Sequence, residues 1–198
     1  LSQVPGAVWR NEEGVVVVNP EAPRPATDEE MPFPARELWP TEQHFSIVST
    51  GRHFTAAMSN FGCPFRCEFC ILRGDALRQR SALSIVDEME FCYHEFGIRE
   101  IDFFDPVFTI RKDRVYTICD EIDRRNLKGL IWSIRARTDA LDPNLLQRMW
   151  DSGCRRICYG IESGSNTVLR RIDKRMKSTD HIGEVIRATK AVGYEVLA

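Results

Sequence analysis

No run of apolar residues approaches the roughly twenty needed to cross a bilayer, and no basic-then-apolar leader opens the chain. An excess of one charge is missing too. Lys and Arg number 27 against 29 Asp and Glu, a net of −2, so no broad field draws the chain to nucleic acid or to a membrane, and neither partner is expected. A disulfide framework is absent: the seven cysteines are odd in number. Cys92, Cys119, Cys154 and Cys158 stand singly among apolar residues and are expected as small buried hydrophobes. That usage fits a reducing compartment, and the cytoplasm is the expected location. A second Cys-x2-4-Cys or His pair, the usual mark of zinc, is also lacking. The 198 residues suffice for one domain with a real core.

What is present is Cys63-Pro64-Phe65-Arg66-Cys67-Glu68-Phe69-Cys70, three cysteines at spacing Cys-x3-Cys-x2-Cys. So short a loop wraps three thiolates around one inorganic centre. Three thiolates hold three irons of a 4Fe–4S cube and leave the fourth iron without a protein ligand. An open metal position marks a catalytic site, whereas structural sites close their shell. The bland alternative is a three-cysteine zinc-binding module with no catalytic role, closed by His53 or His44 from a distance. His94 and His181, like these two, lack a partner pattern and read as surface or packed histidines.

Cys63, Cys67 and Cys70, with the aromatic Phe69 before the last, resemble the signature of the radical S-adenosylmethionine (radical SAM) superfamily. The resemblance implies a 4Fe–4S cluster on these cysteines and SAM on the open iron. It also implies reductive cleavage of SAM to a 5′-deoxyadenosyl radical, with electrons from a flavodoxin- or ferredoxin-type donor. The cofactor carries that chemistry and the protein positions it.

Pattern along the chain agrees with the family's architecture. Phe45–Ser49 and Phe54–Met58 read as strands around a Gly51-Arg52 turn, the second leading into the cysteine loop. Ser81–Phe96 reads as an amphipathic helix capped by Ser84 and ended by Gly97. Ile101–Phe104 is a strand, 112–125 a helix and Leu130–Ile134 a strand. A helix begins at Asp142-Pro143 and ends at Gly153. Arg156–Tyr159 is a strand, a helix follows from about Ile182 to Gly193, and Tyr194–Leu197 is the next strand. Strand–helix alternation with short turns makes this an α/β chain of parallel βαβ units. An open doubly wound sheet satisfies the pattern equally. The resemblance selects a partial (β/α)6 TIM-like barrel over residues 45–198, C-terminally incomplete.

In such barrels active residues gather where strands end. Asp105 follows the second β/α strand, where the resemblance implies a contact to the SAM amino group. The family's frequent Gly-Gly-Glu is absent there, and a helix cap or turn serves equally. Ser133, Arg135 and Arg137 alternate along one face. Arginines facing inward need a partner, either the cofactor carboxylate or substrate, or an ion pair with Asp139 or Glu162. Arg135 is the candidate for the cofactor, and Arg137 stays open between these. Gly160-Ile161-Glu162-Ser163 resembles the family's Gly-x-Glu-Ser segment, which places Glu162 and Ser163 at the SAM ribose. Lys174 lies where related enzymes carry a base for the SAM carboxylate. Its neighbours Arg170, Arg171, Arg175 and Lys177 read as a solvated face. Ser165 caps the next helix.

Residues 1–44 hold seven of the ten prolines, six of them (Pro20, Pro23, Pro25, Pro32, Pro34 and Pro40) in the stretch after the valines, with Asp28-Glu29-Glu30 among them. They read as a stiff linker with one short valine strand, Val15–Val18. Val4–Arg10, the valines and Met31–Arg36 resemble the connector that follows a cobalamin-binding domain in the cobalamin-dependent (B12-type) branch of the family. That domain is expected upstream of a chain that starts at Leu1 and stops within a strand. In this branch the implied reactions are methyl transfer by a cobalamin-dependent methyltransferase, or radical rearrangement or cyclisation of a small-molecule substrate. The competing enzyme reading is a methylthiotransferase acting on RNA or protein. It needs a further three-cysteine domain, and residues 1–44 contain no cysteine.

Overall fold

The computed structural model describes residues 1–198 except 24–30, 41, 42, 44, 45, 51, 52, 175 and 177. Outside the described residues therefore lie Pro25, Asp28-Glu29-Glu30, His44, Phe45, the Gly51-Arg52 turn, Arg175 and Lys177. The chain separates into two compact units, Leu1–Pro32 and Phe33–Ala198.

The first unit is an antiparallel hairpin of β1 (Val8–Arg10) and β2 (Val16–Val18), with Trp9 opposite Val17. Asn11 makes the turn, its Oδ1 accepting from the amides of Glu13 and Val15. Asn19 closes the unit: its Nδ2 donates to the carbonyls of Leu1 (2.8 Å) and Val4 (2.7 Å).

The second unit carries a five-stranded sheet, β3 (Phe54–Ala57), β6 (Glu100–Phe103), β7 (Ile131–Ala136), β8 (Cys154–Tyr159) and β9 (Glu195–Leu197). The strands lie side by side in that sequence order, and every pair is parallel. A doubly wound sheet reverses its order at a switch point, and this one never does. It is a partial (β/α) barrel. Between its first two strands stand β4 (Asn60–Cys63) and β5 (Asp75–Gln79), an antiparallel hairpin, and then α1 (Ala82–Glu95). The crossovers that follow carry α2 (Lys112–Arg124), α3 (Pro143–Asp151), and α4 (Asn166–Arg171) with α5 (Thr179–Val192). No helix among the described residues is long and apolar enough to cross a membrane.

The helix boundaries follow capping chemistry. Asp142 accepts from the Leu145 amide at 3.0 Å with Pro143 in the first turn, and Ser165 caps α4. Gly153 and Gly193 take φ of +104° and +120° past α3 and α5. Helix α1 is capped by Ser81, not Ser84. Ser81 has extended backbone and accepts from the Ser84 amide, while the Ser84 hydroxyl accepts from Arg80. The strand expected over Phe45–Ser49 does not form in its described part. Ser49 turns back to the Ser46 carbonyl, and Thr50 is fixed by its amide and hydroxyl to the buried Glu100 carboxylate.

The two faces of the sheet differ. Ile101, Phe103, Trp132, Ile134 and Ile157 are buried in the hydrophobic core with Ile118, Leu145 and Met149 of the helices. Phe103, Phe108 and Trp132 form an aromatic cluster with centroids 5.0–6.4 Å apart. The alternate positions of the same strands carry Glu100, Asp102, Ser133, Arg135 and Arg156. There acid pairs with base: Arg156 with Glu100 and Glu195, Arg135 with Asp102.

Residues 33–39, read from sequence as linker, belong with the second unit. Arg36 is 5% exposed and donates to Thr55 and to the Ala56 carbonyl of edge strand β3. It also pairs at 2.6 Å with Glu88, which a second buried arginine, Arg80, contacts as well. Removing one partner from such a buried cluster strands the others' charge. Glu88→Gln is therefore expected to lower unfolding free energy by about 3 kcal/mol. Urea denaturation followed by circular dichroism measures it, and an unchanged midpoint would contradict the account.

Candidate active site

Strand β4 delivers the chain into the cysteine loop and β5 takes it away. Gly62 permits the join. Its φ is +75°, and a Cβ there would lie 2.2 Å from the Ala76 carbonyl oxygen across the hairpin. The loop is tightly bonded. The amides of Cys70, Arg73, Gly74 and Asp75 donate to the carbonyls of Cys67, Cys70, Phe65 and Leu72, and the Glu68 amide to Ile172 beyond α4.

The loop forms one side of a cavity of about 310 Å³. Cys63, Phe65, Cys67, Phe69, Cys70 and Leu72 line it. Opposite them stand residues at or just past the ends of β6, β7 and β8: Pro106 and Val107, Arg135 to Arg137, and Cys158 to Gly160 with Glu162 and Lys174. The cavity thus sits at the C-terminal ends of the strands, where barrels keep their chemistry.

Most of the residues singled out in the sequence converge here. The three cysteines are free thiols, Cys63 and Cys67 buried and Cys70 half-buried. Burial pushes the Cys63 thiol up; Cys70 and Cys67 add to the shift, while the Phe65 backbone and Arg137 oppose it. Phe69 stands at the mouth, 56% exposed, with Lys174 Nζ 5.6 Å from its ring centre. Lys174 is buried and donates to Glu162 Oε1 at 2.9 Å. Glu162 holds φ +67°, a left-handed conformation that is strained for a residue with a Cβ. Gly160 makes room for the pair, since a Cβ there would lie 3.0–3.1 Å from both charged groups. Arg135 reaches the cavity but is engaged. It donates to Asp102 Oδ1 (3.0 Å) and the Phe103 carbonyl (2.8 Å) and lies 3.6 Å above the Phe104 ring.

Two candidates lie elsewhere. Asp105 has no exposed surface and is absent from the cavity wall. Its carboxylate accepts from the amides and side chains of Ser59 and Asn60, and burial pushes its pKa up against those bonds. Ser163 faces the following turn, its hydroxyl accepting from the Ser165 amide.

Sequence reasoning missed three participants. Hairpin β4–β5 gave no signal, because Asp75–Gln79 contains one large apolar residue, Leu77. Cys158 is not a core cysteine like Cys92, Cys119 and Cys154; it is half-buried and lines the cavity. The alternation of β8 with its neighbours was the available clue. The sequence leaves Arg137 open between cofactor and ion pair; the structure buries it beside the loop on Asp139, the ion-pair alternative.

The donor set fits an iron–sulfur cube. Three soft thiols without disulfide partners face one cavity, and no group of three His, Cys, Asp or Glu among the described residues converges as a single-ion site does. A cube takes each thiolate at a different corner. His53, the candidate fourth zinc ligand, lies beside Gly97, at the other ends of the strands.

Fold and site together define a barrel protein with a three-thiol centre at its catalytic end. The chain belongs to the radical SAM superfamily, whose family model matches residues 59–198, and membership implies a 4Fe–4S cluster and SAM. It is 30% identical to an uncharacterized methyltransferase of Pyrococcus horikoshii, over 91% of this chain and 39% of that protein. It is 27% identical to the cytidylyl-2-hydroxyethylphosphonate methyltransferase of Streptomyces wedmorensis (98% and 42%). It is 29% identical to the anaerobic magnesium-protoporphyrin IX monomethyl ester cyclase of Rubrivivax gelatinosus (86% and 31%). The chain thus spans about a third to two fifths of these relatives. Among solved structures it resembles the cobalamin-dependent SAM radical enzyme OxsB with aqua-cobalamin and SAM bound. The TM-score is 0.78 at 22% identity, over 99% of this chain and 29% of that one. It also resembles the methyltransferase TsrM of Kitasatospora setae with cobalamin and a [4Fe-4S] cluster bound (0.69, 19%, 98% and 40%). At these identities the likeness is one of fold.

The hairpin geometry generates a prediction. Gly62→Ala is expected to cut iron and sulfide bound after anaerobic reconstitution severalfold, because the loop loses its register. Cys158→Ala is expected to retain them. Wild-type iron in Gly62→Ala would contradict the role of the turn.

Proposed function

We propose that this chain is the catalytic core of a radical SAM enzyme whose whole protein carries out cobalamin-dependent methyl transfer. The observation that carries the reading is the facing of three free thiols and the Glu162–Lys174 pair across one cavity. A cluster held here would supply the single electron that reductive SAM cleavage needs. Cys63, Cys67 and Cys70 would be its three ligands. Glu162 would accept from the ribose hydroxyls, and Lys174 would pair with the SAM carboxylate. Their mutual ion pair keeps both extended before the ligand arrives, so less ordering remains to be done on binding. Phe69 screens the mouth, and Arg135, held by Asp102, presents a fixed cation on the wall. Asp105 and Ser163 would act by fixing the segments that carry these groups.

Two relatives named as methyltransferases support methyl transfer, and a third, named as a cyclase, supports radical cyclisation as the second reading. The substrate class under both is a small molecule, and the electron donor would be of the flavodoxin or ferredoxin class.

Glu162→Ala tests the cofactor assignment. A hydrogen bond to a charged group is worth about 1.5–3 kcal/mol, so SAM affinity is expected to fall roughly tenfold or more. Equilibrium dialysis with labelled SAM reads it. Reaction type is tested by incubating the reduced protein with SAM and analysing products. 5′-Deoxyadenosine and methionine support the reading; intact SAM in the presence of a reduced cluster would overturn it.

A further inference from the structure

Arg137 is the most buried cation among the described residues. It leaves the end of β7 with its side chain 4% exposed. Its Nε and Nη2 form a two-point fork on Asp139 (2.9 and 2.8 Å). Nη2 also donates to the Lys174 carbonyl at 2.9 Å. The guanidinium face lies 4.0 Å from the ring centre of Phe65, a residue of the loop between Cys63 and Cys67. Three of its five N–H donors are thereby used. The Nη1 group is buried and has no partner among the described residues.

An unpaired buried donor on a charged group is costly, and this one belongs to a residue that lines the cavity beside all three cluster cysteines. Asp139, Lys174 and Phe65 fix the guanidinium so that it cannot swing to another acceptor. The cluster that the three cysteines would hold presents thiolate and sulfide sulfurs, each an acceptor and each more negative after reduction. We propose that Arg137 is a positioning residue for the cluster: Nη1 donates to a cluster sulfur, and this fixed positive donor raises the reduction potential. The influence of Arg137 on the Cys63 thiol agrees with that proximity. Hydrogen bonds to the sulfurs and nearby charge are established levers on such potentials. The inference rests on the cluster reading above and goes beyond it by assigning Arg137 to the cluster, not to SAM.

The test is an EPR-monitored redox titration of the reconstituted protein, run without SAM. Arg137→Gln is expected to make one-electron reduction about tenfold less favourable, a potential lower by ~59 mV. Arg137→Lys, which keeps the charge but not the fork, should fall between. A second measurement covers variants that do not fold. Wild-type protein labelled with 15N-arginine should show nitrogen coupling to the reduced cluster in pulsed EPR. An unchanged potential in a folded variant, or no such coupling, overturns the proposal. Unchanged potential with weakened SAM binding also overturns it and assigns Nη1 to the SAM carboxylate. A wild-type protein that forms no cluster defeats the cluster reading itself, so the two failures are distinct.

Discussion

Asp105 exposes no atom, and four donors from Ser59 and Asn60 converge on its carboxylate. Arg114 grips the same junction, donating to the Ser59 carbonyl at 2.9 Å and its hydroxyl at 2.8 Å. Asn60 donates onward to Val107 at 3.0 Å. These bonds clamp the point where β3 gives way to the β4–β5 hairpin onto the end of β6. The cysteine loop hangs from that hairpin, so its place over the cavity depends on this clamp. Burial raises the pKa of Asp105, and the bonds from Ser59 and Asn60 are what make the buried carboxylate tolerable.

The inner face of the sheet repeats the arrangement. Acids early in the sheet, Glu100 and Asp102, meet arginines from the later strands, Arg156 and Arg135. Because the pairs join different strands of the sheet, they hold register as well as charge. They also leave the cavity end with cations fixed in position. Arg135 lies over Phe104 and Arg137 over Phe65, each also tied to a carboxylate. A carboxylate or an anionic cluster placed here would meet positive groups that need little rearrangement.

Much of this was legible from local chemistry. The strand–helix alternation and the caps at Asp142 and Ser165 are short-range signals, and each matches the structure. Cys-x3-Cys-x2-Cys is as local, and its three thiols line one cavity. Two misses were local, the Ser84 cap and the Phe45–Ser49 strand; the others were long-range. Asp105 at a strand end reads as a ligand for a cofactor, but its partners are 45 and 46 residues away in sequence. Arg135 found Asp102, not Asp139 or Glu162, because parallel pairing brings β6 beside β7. Arg36 sits in a proline-rich stretch that reads as spacer, yet it is buried against Glu88 of α1, far along the chain. Cys158 looked like its buried sisters, and only its height on β8 sets it in the cavity wall.

The central claim is that Cys63, Cys67 and Cys70 hold a 4Fe–4S cluster with one iron open to SAM. Anaerobic reconstitution with iron and sulfide, reduction, and EPR with and without SAM tests it most directly. The account predicts a 4Fe–4S signal that changes when SAM is added. A protein that takes up zinc, forms no cluster and is indifferent to SAM would contradict it, leaving the loop a structural metal site.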